Sequence, residues 1–220
     1  MAEEIKRRKV PNVWAKNLAK LLSGDNRCWY AAWMQANYWL PREDRTPEDQ
    51  ARMEGHMRAH DAITTRRAAE LRADGWLVKV EDEGAFKVVG KRAELTGKPD
   101  IVGLRGTSGD QSTLIVDAKS GKRREGDAWQ VLVYAFALPL SWLGDPGVIT
   151  GEIAYSDANV PVRRLTTVDR REIVEGINRL STPEPPEKTP GKYECGFCSL
   201  RETCPERFDE ATQAGRTELF

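Results

Sequence analysis

The sequence PDIVGLRGTSGDQSTLIVDAK at residues 99–119 decides the fold that this chain is expected to adopt. Its apolar segments at 99–104 and 113–119 have the length and β-branched content that are typical of strands. Between them, Gly-Thr-Ser-Gly-Asp at 106–110 predicts a turn. Asp100 opens the first predicted strand, and Asp117 and Lys119 lie in the second. We therefore expect two strands that carry charged side chains beside apolar ones.

Further elements are predicted on both sides of these strands. Thr46 and Pro47 favour a helix start, with threonine as N-cap and proline at the first helical position. Asp74-Gly75 favours the end of that helix after residue 73. Periodicity and turn residues predict helices at 13–23, 27–39, 47–73, 128–138 and 169–180, and strands at 76–81, 86–90 and 149–155. This order predicts an α/β core with a helical N-terminal part and a Cys-rich C-terminal segment.

The composition is that of a globular protein. A chain of 220 residues, 40% hydrophobic and 31% charged, can bury one core with an appendage, so we expect one domain over residues 1–220. The longest apolar run, 131–138, is less than half as long as a membrane-spanning helix requires. No apolar signal-peptide region follows the basic start. A cytoplasmic location without membrane association is therefore expected.

Positive charge is locally concentrated, although the formal net charge is zero. Residues 1–22 carry six Lys or Arg against two Glu, and residues 119–124 carry four basic side chains. Such patches on a neutral protein are compatible with a groove for a polyanion. A solvated basic loop is the alternative interpretation.

The charged residues of the two central strands have the pattern of a metal site. Side chains alternate between faces along a strand, so Asp117 and Lys119 point the same way. Asp100 and Asp117, on adjacent strands, can supply oxygen ligands for Mg²⁺ or Mn²⁺. Such an ion polarises a phosphate and activates water, while the Lys119 ammonium offsets charge in the transition state. A surface ion pair on an edge strand is the alternative.

Two further pairs of polar residues have helical spacing. Gln130 and Tyr134, at i and i+4, share one face of the predicted helix at 128–138. His56 and His60 have the same spacing, without the glutamate of a His-Glu-X-X-His zinc motif. Either the histidines lie on a solvated helix face, or one of them adds a nitrogen ligand to the two carboxylates.

The four cysteines of the chain are predicted to form one site. Cys195, Cys198 and Cys204 are spaced as Cys-X2-Cys-X5-Cys behind the linker-like sequence PEPPEKTP. Such an array is typical of metal ligands, and Cys28 is the remaining candidate for a fourth thiolate. We favour an iron–sulfur staple formed by residue 28 and residues 183–207, because the ligands of a local zinc finger lie close in sequence. Zinc, disulfides and free thiols are the alternatives.

The combined pattern resembles the PD-(D/E)XK nuclease superfamily. Asp100, then Asp117-X-Lys119, then Gln130-X3-Tyr134 follow a helical histidine, and the cysteines bracket them. More narrowly, the pattern is similar to the RecB-like branch with an iron–sulfur cluster, which includes CRISPR-associated adaptation exonucleases and the nuclease domains of helicase–nucleases. The resemblance covers residues 28–207, and its order and spacing are more specific than any single motif.

The resemblance implies a fold, an activity and two cofactors. The fold is a restriction-endonuclease-like core, in which a central mixed sheet is flanked by helices. The activity is Mg²⁺- or Mn²⁺-dependent cleavage of DNA, usually single-stranded and from an end. The second cofactor is a 4Fe–4S cluster, held by Cys28, Cys195, Cys198 and Cys204.

The resemblance also assigns roles within the central site. We favour His60 over His56 as a metal ligand, because His60 lies further from Gly55 and nearer the usual position one turn later. The metal is assigned to His60, Asp100 and Asp117. Catalysis is assigned to Lys119, and DNA contact or support of the site is assigned to Gln130 and Tyr134.

DNA is the expected partner of such a protein. Trp29, Tyr30, Trp33 and Trp129 offer aromatic faces near the basic segments, and basic grooves with stacking surfaces suit single strands. The alternative is that most of these tryptophans belong to the core. The expected role is CRISPR adaptation, phage recombination, or DNA repair or defence, alongside other adaptation, recombination or helicase proteins. The alternatives are a catalytically weak DNA-binding subunit of a larger complex and a metal protein without nuclease activity.

Overall fold

The computed structural model describes residues 5–40, 46–107, 110–141, 146–196, 198 and 200–208. None of the helices in these ranges is long and apolar enough to cross a bilayer. The helices are α1 (Ala15–Leu22), α2 (Trp29–Asn37), α3 (Pro47–Ala73), α4 (Asp127–Ser141), α5 (Thr167–Leu180) and α6 (Lys192–Gly196). The strands are β1 (Lys6–Arg7), β2 (Asn12–Trp14), β3 (Tyr38–Trp39), β4 (Leu77–Val80), β5 (Phe86–Val89), β6 (Glu94–Gly97), β7 (Ile101–Arg105), β8 (Ser112–Ala118), β9 (Val148–Ala154) and β10 (Asn159–Val162).

A five-stranded mixed sheet forms the centre of the fold. Its strand order is β10-β9-β8-β7-β4. The β8–β9 pair is parallel and is connected through α4, whereas the other neighbours are antiparallel. A second sheet, β2-β6-β5, and a short β1-β3 ribbon accompany it. The chain therefore has a mixed α/β fold with helices flanking its sheets, as the sequence predicted.

Both faces of the central sheet are covered. Val102, Ile115 and Ile153 belong to the core cluster that includes α1 and α4, and Ile101 and Val116 belong to the cluster under α3. Every residue of β8 after Ser112 is buried, as expected for a strand between two helical layers. A charged side chain in this strand, such as Asp117, is therefore buried between the two layers.

The long helix α3 begins and ends where the sequence predicts. The Thr46 hydroxyl accepts a hydrogen bond from the Asp49 N–H at 3.2 Å, and Pro47 is the first helical residue. The chain leaves the helix through Gly75, whose φ of 81° suits glycine. Thr46 and Pro47 thereby determine the residue at which α3 begins.

Several predicted boundaries differ from the structure. Residues 12–14 form a strand parallel to β6, so the first helix begins at Ala15 and not at residue 13. The second helix ends at Asn37, and Tyr38–Trp39 pairs with β1. Glu81 leaves β4 for a 3₁₀ turn, with φ of 49°. Strands β1, β3, β6 and β10 and helix α6 were not predicted, and residues 108–109 of the predicted turn at 106–110 lie outside the described ranges.

Candidate active site

Asp100 and Asp117 converge at one edge of the central sheet. In the antiparallel β7–β8 pair, Ile101 lies opposite Val116, so Asp100, just before β7, faces the end of β8. The Ala118 N–H donates a 2.7 Å hydrogen bond to Asp100 Oδ2. The register of two neighbouring strands thus brings the two predicted carboxylates together.

Asp117 is a buried carboxylate with unused bonding capacity. It is 1% exposed, and neither of its oxygens accepts a hydrogen bond within the described residues. Lys119 Nζ lies 2.5 Å from Oδ2 as an ion-pair contact, but its direction is not that of a hydrogen bond. The pKa of Asp117 is raised to about 6, mainly by burial and also by the Asp100 charge, against the lowering effect of Lys119. A carboxylate held in this way is suited to a cation.

His60 reaches the site from α3, whereas His56 is exposed on the same helix. His60 Nε2 lies 3.1 Å from Asp100 Oδ2. The contact with Asp100 raises the pKa of His60, although burial lowers it, and Asp117 also contributes to the rise. The structure therefore places His60, and not His56, beside both carboxylates.

A chain of hydrogen bonds holds Lys119. Its Nζ donates to Gln130 Oε1 at 3.0 Å, and Gln130 Nε2 donates to the Tyr134 hydroxyl at 2.8 Å. The Tyr134 hydroxyl donates in turn to the Lys98 carbonyl at 3.2 Å. Burial raises the pKa of Tyr134, so the phenol keeps its proton. The i, i+4 pair on α4 thus links the lysine to the segment that leads into β7.

The attachment of α3 to the sheet was not predicted. Arg67 makes a bidentate ion pair with Glu152 of β9, with contacts of 2.7 and 2.8 Å. Arg66 Nη2 donates to the Tyr155 carbonyl at 2.7 Å. Both arginines lie about two turns after His60, so these contacts fix where α3 presents the imidazole. No local spacing in the sequence indicates these contacts, because Glu152 and Tyr155 lie 85 and 89 residues further along the chain.

The side chains of the site are arranged without a compact ion-binding geometry. Within the described ranges, no group of three or more His, Cys, Asp or Glu side chains is positioned to hold a metal ion. Asp117 instead faces Lys119, and Asp100 faces His60. The residue types and the unsatisfied Asp117 oxygens fit a divalent ion, which Asp100, Asp117 and His60 would hold.

The four cysteines line one small cavity outside the site described above. All four are free thiols, and the cavity between them measures about 20 Å³. The Leu200 N–H donates to Cys198 Sγ at 3.4 Å, and the Phe208 N–H donates to Cys195 Sγ at 3.3 Å. Burial, and then the neighbouring cysteines, raise the pKa of Cys198. The donor set fits a metal cluster, although the four thiols, all within the described ranges, are not grouped as the ligands of one.

The aromatic residues that were expected to form a stacking surface are mostly engaged inside the protein. Trp33 is buried, and its indole N–H donates to the Thr182 carbonyl. Trp29 and Trp129 pack against the core, and Arg179 covers the Trp29 ring. Trp39, which was not singled out, is 58% exposed with the Arg8 guanidinium 3.6 Å from its ring centre.

Similarity to known proteins extends over most of the chain. A solved structure described as "Crystal structure of SSO0001" is similar with 13% sequence identity and a TM-score of 0.48, over 92% of this chain and 89% of that chain. A search of the curated proteins gave no significant match. A family model described as the PD-(D/E)XK nuclease superfamily matches residues 14–205. Because that match spans most of the sequence, including every residue of the site built above, the chain belongs to the PD-(D/E)XK nuclease superfamily.

Proposed function

We propose that this protein is a Mg²⁺- or Mn²⁺-dependent deoxyribonuclease that degrades DNA from an end and prefers single strands. The observation that carries the proposal is Asp117, a buried carboxylate beside Asp100 that pairs with the Lys119 ammonium and, within the described residues, has bonding capacity left on both oxygens. Keeping a carboxylate charged in a buried position costs free energy, and a bound cation would offset that cost. Members of the superfamily to which the chain belongs are generally nucleases, which supports the same conclusion.

Each side chain of the site has a role in this proposal. Asp100, Asp117 and His60 hold the divalent ion, which supplies positive charge at the phosphate and lowers the pKa of a water molecule. Lys119 stabilises the charge that develops on the phosphate oxygens. Gln130 orients the Lys119 ammonium, and Tyr134 orients Gln130 through its hydroxyl.

We also propose that the four cysteines hold a 4Fe–4S cluster, and that residues 1–220 act as one nuclease domain. The common cavity, the two N–H···S hydrogen bonds and the distant Cys28 support the cluster. The Thr189 hydroxyl, which donates to the Arg27 carbonyl at 2.6 Å, already attaches the C-terminal segment beside Cys28. The proposed role is in CRISPR adaptation, phage recombination, or DNA repair or defence. A catalytically weak DNA-binding subunit is the second candidate.

Linear single-stranded DNA should be degraded with Mg²⁺ or Mn²⁺ faster than blunt duplex DNA, and closed circular single-stranded DNA of the same sequence should resist. An exonuclease requires an end, and a positively charged groove can follow the backbone of a single strand. Gel analysis of the three substrates with metal, and with EDTA as control, measures this. Equal rates on linear and circular strands would show that the protein is an endonuclease that cuts within single strands. Salt-sensitive binding without cleavage would favour the DNA-binding subunit.

His60→Gln should reduce cleavage by about 10- to 100-fold and raise the Mn²⁺ concentration needed for half-maximal rate. His56→Gln is the matched control, four residues earlier on α3, and should retain the wild-type rate. The physical reason is position, since only His60 contacts Asp100. A metal titration of both variants measures the effect. Equal losses in the two variants would contradict the proposed ligand.

Tyr134→Phe should lower kcat more than it changes KM, because it releases the Gln130 side chain that orients Lys119. The ring remains packed against Phe86, whose centre is 5.8 Å away, so the loss of stability should stay near about 1–2 kcal/mol. Tyr38→Phe, outside this chain of hydrogen bonds, is the control. Steady-state kinetics and thermal unfolding separate the two effects, and an unchanged kcat would exclude the orienting role.

A further inference from the structure

A basic cavity adjoins the catalytic lysine. It measures about 250 Å³ and lies between helix α1 and the loop that follows β8. Lys119 and Gln130 form its border with the site described above. Its remaining cations come from both elements: Lys16, Lys20, Lys122 and Arg124. The cavity therefore adjoins the active site at Lys119 and Gln130.

Charge in this cavity is not balanced. Five cations line it, including Lys119, against two carboxylates, Asp25 and Asp127. Within the described ranges, none of the other four cations forms an ion pair. Burial lowers the pKa of Lys20, as do the neighbouring cations Lys16, Lys119 and Arg124, whereas Asp25 raises it. Cations that repel one another in a concave site create a strong potential for an anion.

The loop that contributes Arg124 is held in place before any ligand arrives. The Arg124 N–H donates to Asp127 Oδ2 at 3.1 Å, and the Tyr155 hydroxyl donates to the same oxygen at 2.8 Å. The Arg123 guanidinium lies 5.0 Å from the centre of the Tyr155 ring. Because Asp127 accepts these hydrogen bonds, its carboxylate neutralises the cations of the cavity less. Because the loop is already held in place, it loses little conformational freedom when a ligand binds.

One wall of the cavity is closed. A Cβ atom at Gly126 would lie 2.6 Å from Asp25 Oδ2 and 2.7 Å from Ser23 Cβ. The two elements that form the cavity are thus in direct contact at this point. A DNA strand therefore cannot continue between the two elements at Gly126, but the end of a DNA strand can lie against them.

We propose that this cavity binds the terminal phosphate of the DNA strand that is being degraded. This inference rests on the proposed nuclease function and specifies how that nuclease recognises an end. A terminal phosphomonoester carries about −1.5 to −2 charges near neutral pH, and it has three oxygens free to accept hydrogen bonds. An internal phosphodiester carries a single charge. The surplus of cations and the closed wall both match the terminal group.

The test uses four single-stranded oligonucleotides of one sequence, with phosphate or hydroxyl at the 5′ end or at the 3′ end. The wild-type protein should degrade one phosphorylated form with a kcat/KM at least about tenfold above its hydroxyl counterpart, as expected for charge-assisted hydrogen bonds. The double variant Lys20→Gln/Arg124→Gln should lose this preference while degrading the hydroxyl forms within about threefold of wild type. The control Lys91→Gln/Arg92→Gln removes the same charges from the β5–β6 turn and should keep the preference.

Binding separates this inference from the proposed activity. Affinities of the same oligonucleotides for the Asp117→Asn variant require no cleavage and should show the same phosphate preference. If no substrate is cleaved but the preference in binding persists and depends on Lys20 and Arg124, the nuclease assignment fails and the phosphate site stands. Equal affinities for phosphate and hydroxyl ends would overturn the inference, as would a double variant that slows all four substrates equally, which indicates an internal strand contact.

Discussion

Replacing Asp117 with asparagine is expected to abolish DNA cleavage and, in the absence of divalent ions, to make the protein more stable. Asparagine has nearly the same shape but lacks the charge that holds the ion. Because metal-ion catalysis contributes several kcal/mol, the rate should fall by about 1,000-fold or more. Cleavage of linear single-stranded DNA measures this loss.

The gain in stability follows from the raised pKa of Asp117. Burial raises this pKa from 3.8 to about 6, so the folded protein favours the protonated carboxyl more than the unfolded chain does. That contribution to stability is fully present below about pH 4 and is lost as the pH rises through about 6. Asparagine stays neutral throughout. The variant should therefore unfold at a Tm about 2–6 °C above wild type at pH 7.5 in EDTA, and the difference should shrink at pH 4.

Metal binding provides the complementary measurement. Mg²⁺ or Mn²⁺ should raise the Tm of the wild-type protein, because ligands that bind only the folded state stabilise it, and should not raise that of Asp117→Asn. Asp82→Asn is the matched control, since the Asp82 side chain is 91% exposed. It should change neither cleavage nor the response to metal. Full activity of Asp117→Asn would overturn the whole site, and a lower Tm in EDTA would show that the carboxylate stabilises the fold.

The central part of the site could be predicted because its signals are local. Asp100 and Asp117 lie at the facing ends of two strands joined by a short turn, so strand alternation and antiparallel pairing suffice to bring them together. Gln130 and Tyr134 lie on one helix at i, i+4. The match to the family model confirms the superfamily that this order of motifs resembles. The narrower branch and the iron–sulfur cluster stay predictions.

The parts that escaped prediction depend on contacts distant in sequence. The strand at 12–14 exists because it pairs with β6, and its apolar Val13 fits the periodicity of the adjoining helix equally well. Arg67 finds Glu152 across the sheet, a pairing that no spacing rule indicates. Trp33 reads as a stacking residue in sequence, but it is buried against α5. Lys16 and Lys20 were counted only as part of a basic segment, although their i, i+4 spacing places both on one face of α1.

Cys28→Ser should cause a larger loss of stability than Asp117→Asn, His60→Gln or Tyr134→Phe. If the four thiolates hold a cluster, Cys28 is the ligand that connects the front of the chain to residues 195–204, and its removal opens that connection. Metal binding that is coupled to folding contributes several kcal/mol, so the Tm should fall by about 10 °C or more. Thermal unfolding of anaerobically purified protein, with iron and sulfide analysis, measures both consequences.

The same substitution tests the cluster itself. Wild-type protein should be brown, with a broad visible band that dithionite bleaches, and both Cys28→Ser and Cys198→Ser should lose the band completely. Burial, and to a smaller extent the neighbouring cysteines, raise the pKa of Cys198, so without a metal this side chain favours the thiol. Thr189→Val is the control, because it removes the hydrogen bond from the tail to Arg27 and leaves every sulfur in place, so the colour should remain. Colourless protein with one zinc per chain would replace the cluster by a zinc site, and full colour in Cys28→Ser would remove that residue from the ligand set.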